Sequence, residues 1–360
     1  MITLSVALCL SMMTADRRTE NVVLVTLDGV RIEEMFGGLD DVILCAEAES
    51  GKAEDHPLTA RFGAATPEAR RAKLMPFFWN VLMAEHGSIA GNPAGGSPVR
   101  IANRHRFSYP GYSEILTGVA RDDEIDSNDR RRNPHPTVLE FLKRRLALDR
   151  NGVCAFASWD VFRWIVEHEE GALTVNAGFH EFVSPDPEVT ALSALQFETP
   201  TPWNSVRHDV YTFRFAMDHL RRHAPRVTYL ALGETDDWAH DRRYDRVVEA
   251  LVRNDRQIEA LWRFLQSDDR YAGKTTVLIT TDHGRGRTPE NWTDHGAKVA
   301  GAEDVWLACM SPDVDLRGEW GTHALIELDR VAATMAALLG EDWRSANPEA
   351  GRPIEALIHP

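Results

Sequence analysis

Carboxylates and imidazoles recur together in short polar loops of this chain: Asp28 in LDGVR, Asp236 and His240 in GETDDWAH, Asp282 and His283 in TDHGRG, and His295 in WTDHG. Oxygen and nitrogen donors in such sets bind divalent cations. Each piece alone has an ordinary explanation. Asp28 before Gly29 suits a turn, Asp236 suits a cap on the helix that begins near Asp241, and His283 suits a core histidine bonded to a carbonyl. A hydroxyl nucleophile is available in RFSYPGYSEILTG, where Ser108 precedes Pro110 and Gly111 and opens a short helical pattern that ends at Gly118. At a helix N-terminus its hydroxyl faces unpaired N–H groups and the positive end of the dipole, where a phosphoryl oxygen is stabilised. Ser113 competes for that role, and a plain N-cap is the alternative reading of Ser108.

Four apolar, β-branched runs supply a frame for these loops: Asn21 to Leu27, Arg226 to Leu232, Thr275 to Thr281 and Val305 to Met310. They are too apolar for a sheet with one wet face, which predicts buried, parallel strands. From Asp241 onward, Tyr244, Val247, Val248, Leu251, Ile258, Leu261 and Leu265 recur at helical spacing. Further helices are expected over Leu74 to Glu85, Thr137 to Leu146 and His323 to Leu339, the last stopped by Gly340. This alternation predicts an α/β fold, a doubly wound and mostly parallel central sheet with helices on both faces. Ligands bind beyond the carboxyl ends of strands in such sheets. Asp28, Asp236 with His240, and Asp282 with His283 follow three separate strands, and His295 comes just before the next. That shared position favours a metal site over three unrelated explanations. The stretches 40–67 and 179–207 lack a clear period and read as rim or cap excursions.

The 360 residues carry 40 Lys and Arg against 55 Asp and Glu, a formal net charge of −15. That surplus opposes attraction to phosphate backbones, so nucleic acid is not expected as the main partner. No apolar run reaches the roughly 18–20 residues of a bilayer span, which argues against integral membrane association. Cys9, Cys45, Cys154 and Cys309 lie far apart, without zinc-knuckle or dithiol spacing, and read as buried hydrophobes. Residues 1–15 place an apolar stretch before DRRTEN. They read as a signal peptide cleaved near Ala15, which makes the protein periplasmic or secreted, or as a buried N-terminal strand of a cytoplasmic one. Residues 16–360 are expected as a single α/β domain.

Taken together, LDGVR, FSYPGYSEILTG, GETDDWAH, TDHGRG and DHG resemble the alkaline phosphatase superfamily, and within it the type I phosphodiesterase/nucleotide pyrophosphatase-like branch, from about Asn21 to Leu339. The resemblance implies two zinc ions, with manganese as a substitute. It implies one ligand set of Asp236, His240 and His295, and another of Asp28, Asp282, His283 and the Ser108 oxygen. Ser108 would then carry a phosphoserine intermediate in the hydrolysis of a small-molecule phosphate ester, monoester or diester. Arg31, Arg285 and Arg287 flank these motifs, and a guanidinium could grip a phosphoryl oxygen bidentately; charge balance on an acidic surface is the alternative. Trp159, Asp160 and Trp238 are candidates for a pocket wall. The chain departs from the branch after the nucleophile, where Tyr109, Pro110, Gly111 and Tyr112 replace Phe-Pro-Asn-His and the asparagine of that motif is missing. Tyr112 also stands where sulfatases carry arginine, which argues against sulfate esters. A phosphomutase of the same superfamily and a non-catalytic metal-binding protein are the competing readings.

Overall fold

Asn21–Leu27 is buried along its whole length, as a Val- and Leu-rich run with no polar face requires. In the computed structural model, which describes residues 18–358, this run is the first of eleven strands, and the expected signal segment lies outside the described residues. The strands are β1 (Asn21–Leu27), β2 (Gly87–Ala90), β3 (Val99–Arg100), β4 (Val153–Ala157), β5 (Thr174–Ala177), β6 (Val227–Leu232), β7 (Thr275–Thr280), β8 (Asp304–Val305), β9 (Leu307–Met310), β10 (Gly318–Glu319) and β11 (Ile326–Glu327). Eight form the main sheet in the order β10-β2-β9-β7-β1-β6-β4-β5, and β11-β3-β8 form a small second sheet. From β7 to β5 all neighbours are parallel.

Side chains of β1 alternate between two cores. Val23, Val25 and Leu27 pack with Val248, Leu251, Leu261 and Leu265 of the helix Tyr244–Ser267 and with Phe215 and Leu220 of the helix Asp209–His223. Val22 and Leu24 face the other core, with Ile115, Leu116, Leu139, Leu142 and Met335 from the helices Ser108–Thr117, Val138–Arg145 and Val331–Leu338. Each such side chain contributes roughly 1.5–3 kcal/mol by leaving water. The architecture is therefore the expected doubly wound α/β sheet with helices on both faces. No helix among the described residues is long and apolar enough to cross a membrane.

Several local expectations need correction. Val305 to Met310 is not one parallel strand: Val305 belongs to the small sheet, and Leu307–Met310 runs antiparallel to both β7 and β2. The break falls at Trp306, whose buried indole donates to the Val30 carbonyl at 3.0 Å. The helix expected over Leu74 to Glu85 divides, because the helix Pro67–Leu74 stops ahead of Pro76, which has no N–H to continue it. A π-helix, Phe78–His86, starts beyond it, with Asp255 accepting the N–H groups of Phe77 and Phe78 at 3.0 and 2.8 Å. Only Val331–Leu338 of the segment His323 to Leu339 is α-helical; β11 and a 3-10 turn precede it. The excursion 179–207 contains the helix Pro187–Glu198, capped by Asp186. Cys45 is exposed, whereas Cys154 and Cys309 are buried.

Candidate metal centre

The strands that carry the polar loops are neighbours, β7-β1-β6, at the middle of the sheet. Asp28 is the residue after β1, and Asp282 and His283 follow β7 by two and three positions. Asp236 and His240 sit on the short helix Glu234–His240 beyond β6, four apart and so on one face. His295 arrives from the loop between β7 and β8, which is closed by the Gly286 N–H donating to the Asp294 carbonyl at 3.0 Å. Gly29 permits this convergence: it has φ +61°, and a Cβ there would lie 2.6 Å from Asp236 Oδ1.

Two clusters result, Asp236/His240/His295 and Asp28/Asp282/His283, each with ligand atoms within 4.8 Å of one another. His240 Nε2 lies 3.1 Å from Asp236 Oδ2 and 3.1 Å from His295 Nε2. In the second cluster His283 Nε2 lies 3.6 Å from Asp28 Oδ1, 3.4 Å from Asp282 Oδ2 and 3.4 Å from Ser108 Oγ. Donors about 2.1 Å from a common tetrahedral ion are about 3.4 Å apart, so these spacings are edges of a coordination shell. Hydrogen bonding supports the same reading. Asp28 Oδ2 accepts from Tyr112 at 2.7 Å and Asp282 Oδ1 from the Gly29 N–H at 3.2 Å, while Asp28 Oδ1 and Asp282 Oδ2 are buried without a partner. Bare carboxylate oxygens in a dry site are costly unless a cation meets them. Burial accordingly pushes the Asp282 carboxyl up to about 7, and burial together with Asp282 raises Asp28 well above the usual range. His283 Nδ1 lies 3.0 Å from the Gly284 carbonyl, which can only accept, so the proton belongs on Nδ1 and the Nε2 lone pair faces the cluster. Burial also holds His283 and His295 neutral, as ligands must be. The residues present thus fit two divalent cations of zinc or manganese type.

Ser108 is the first residue of the helix Ser108–Thr117 and is buried. Gly111, one turn on, lets that helix lie against β7's end, since a Cβ there would stand 2.3 Å from the Asp282 carbonyl oxygen. Ser113 points elsewhere, accepting from Asn133 at 3.4 Å. The expectation of several free N–H groups at this helix start needs correction. Tyr109 N–H goes to Asn128 Oδ1 at 2.9 Å, Pro110 has none, and Gly111 N–H goes to the Phe107 carbonyl at 3.0 Å.

The three arginines are placed differently from one another. Arg31 is buried and spent on Glu34, Asp40 and the Gly286 carbonyl, which removes it from substrate contact and corrects that expectation. Arg287 pairs with Glu33 and Asp304 at 2.9 and 2.8 Å. Arg285 is buried beside the centre, donating to the Asp236 carboxylate. Trp238 packs on Trp203 with ring centroids 4.6 Å apart, Trp159 packs on Phe162, and Asp160 pairs with Arg130 at 2.7 Å.

No protein family and no curated protein matches the sequence. Solved structures match in fold. A variant of the alkaline phosphatase PafA superposes with TM-score 0.59 at 11% identity, covering 95% of this chain and 99% of that one. The chain has the alkaline phosphatase superfamily fold. A 2-O GAG sulfatase (TM-score 0.54, 12% identity, 94% of this chain and 72% of that one) and the lipoteichoic acid synthase LtaP from Listeria monocytogenes (0.55, 10%, 91% and 73%) share it.

Within this alkaline phosphatase-like frame, two residues tie down the serine's helix: one inside a motif that the sequence offered without this role, the other outside any motif. Tyr112, four residues after Ser108, is fully buried, and burial and Asp28 keep its hydroxyl protonated and donating to Asp28. It joins the serine's helix to the second cluster. Tyr112→Phe is expected to weaken divalent-cation binding by about tenfold, as losses of a ligand's outer partner do, measured by competition with a chromogenic chelator. Unchanged affinity would show that Asp28 is held without it. Asn128 is the other: its oxygen takes the Tyr109 N–H, and its amide nitrogen makes no hydrogen bond among the described residues.

Proposed function

We propose that the protein is a hydrolase of small-molecule phosphate esters that uses Ser108 as nucleophile beside two divalent cations, zinc foremost. The observation that carries this reading is the second cluster, where Asp28, Asp282 and His283 bring ligand atoms within 4.8 Å of one another and the Ser108 hydroxyl lies 3.4 Å from His283 Nε2. Asp28, Asp282 and His283 would hold one ion with Ser108, and Asp236, His240 and His295 the other. Bound there, the ions supply positive charge that favours the serine alkoxide and neutralises the phosphoryl oxygens.

The chain's own groups do the rest. Ser108 Oγ forms a bond to phosphorus as the ester oxygen leaves with the electron pair; water then attacks phosphorus, the bond to Ser108 breaks, and phosphate departs. Arg285 fixes the Asp236 carboxylate by occupying one of its oxygens, which leaves the other beside His240. Asn128, itself exposed, anchors the helix start by accepting the Tyr109 N–H beside Ser108. The remaining alternatives, a phosphomutase and a non-catalytic metal binder, give different results in one experiment. The zinc- or manganese-loaded protein is expected to release p-nitrophenol from p-nitrophenyl phosphate or from bis-p-nitrophenyl phosphate, with p-nitrophenyl sulfate turned over poorly. Turnover of sulfate alone would reassign the substrate, and turnover of none would reject hydrolysis. Asn128→Ala, which frees the Tyr109 N–H beside the nucleophile, is expected to lower kcat by about fivefold with little change in metal content, in keeping with loss of one hydrogen bond that positions the serine.

A further inference from the structure

A second cluster of basic side chains lies along edge strand β5, where a cavity of about 250 Å³ is lined by Arg132, Arg150, Arg163, Trp164, Glu167 and His180 among others. The arginines are anchored yet incompletely used. Arg150 Nε donates to the Leu173 carbonyl at 2.8 Å, Arg132 donates to the Arg163 carbonyl, and the Arg163 guanidinium lies 4.9 Å over the ring of Trp164. Arg163 Nε is buried with no hydrogen-bond partner, and among the described residues neither Arg150 nor Arg163 forms an ion pair. Arg150 is exposed and Arg163 half-buried, and both line one cavity without a carboxylate partner among the described residues, although a chain of net charge −15 has carboxylates to spare.

The acidic residues at the cavity do not serve. Glu167 is occupied by the N–H groups of Gly171 and Leu173 at 2.8 and 3.0 Å and by Arg132 at 3.5 Å. The Glu170 side chain, which also meets Arg132, is 86% exposed and turned to solvent. Three arginines against two glutamates still leave the lining with a net positive charge. Burial, with Arg163 and Arg207 beside it, pushes the His180 pKa down. The cavity wall also touches the serine's helix, since the Tyr109 hydroxyl donates to the Arg131 carbonyl at 2.7 Å and lies 3.5 Å from that of Trp164.

We propose that this pocket is an oxyanion site, separate from the metal centre, which takes a phosphate or sulfate group between Arg150 and Arg163. Guanidinium forks suit such groups because they donate paired N–H groups in one plane. The site does not depend on the phosphate-ester reading of the metal centre. The test is calorimetric titration of inorganic sulfate into the metal-loaded protein and into the Arg150→Gln/Arg163→Gln double variant. The wild type is expected to show one binding event more than the variant, or that event weakened about tenfold or more, with Arg150→Lys/Arg163→Lys retaining part of it. Equal thermal midpoints without sulfate would show that the Gln variant is folded. Identical sulfate binding in wild type and Gln variant would overturn the proposal, whatever the hydrolase assays report. The source of the group is read separately. A KM that rises in the variant for an ester bearing a second phosphate, but not for p-nitrophenyl phosphate, marks a substrate group. Unchanged KM for both marks a free anion.

Discussion

Replacing Ser108 by alanine is expected to lower kcat/KM for p-nitrophenyl phosphate by about 10³-fold or more while both cations stay bound. The serine hydroxyl lies beside the Asp28, Asp282 and His283 cluster, 3.4 Å from His283 Nε2, so on the proposed mechanism its loss removes the bond-forming oxygen and leaves those three residues in place. Metal content, read by elemental analysis, separates this outcome from collapse of the site. Ser113→Ala is the internal control: its hydroxyl faces Asn133 inside the helix layer, and activity should stay within about twofold of wild type. Near-normal turnover in Ser108→Ala would mean that the nucleophile is another group.

The second large effect concerns stability after the cations are stripped. Without positive charge in the second cluster, burial holds the Asp282 carboxyl at about 7 in the folded chain, against 3.8 for a free aspartate, and Asp28 moves the same way. Between those values the folded form keeps a proton that the unfolded form has lost, so stability falls as pH rises. The contribution is fully present below pH about 4 and lost by about 7. For Asp282 alone it amounts to about 4 kcal/mol, or about 5 °C in thermal midpoint for a chain of this size. On the proposed two-cation reading, bound cations would reverse the sign by meeting the ionised carboxylates. The gap in midpoint between loaded and chelator-treated protein is therefore expected to be several degrees wider at pH 8 than at pH 5. Equal gaps at both values would show that these carboxylates do not meet a cation.

Asp28, Asp282 and His283 were legible in the sequence because each stands directly behind an apolar run, and the rank of a residue after a buried strand survives any change in packing around it. Asp236 and His240 were legible for a related reason, four positions apart just past another such run. The features that stayed hidden depend on partners remote in sequence. Nothing near Val305 says that Trp306 will reach the Val30 carbonyl and divide a strand in two. The Tyr112 hydroxyl finds Asp28 from 84 residues away, and Arg31, besides its near neighbours Glu34 and Asp40, is held by the Gly286 carbonyl from the far end of the chain. The helix Pro187–Glu198 could have been found locally, since Asp186 and Pro187 form a start signal; its apolar residues do not gather on one face, and that masked the period.

On the proposed two-cation reading, the unequal shelter of the two clusters has a kinetic consequence. Asp282 and His283 are wholly enclosed, whereas the His240 side chain is 45% exposed at the mouth of its own set. Dilution or a weak competitor would empty the outer position first and leave the inner one occupied. A half-filled protein would then persist as a distinct species in purified stocks, structurally intact and silent in any assay that needs the pair. Preparations would differ in specific activity for no other reason than their recent history of buffer exchange.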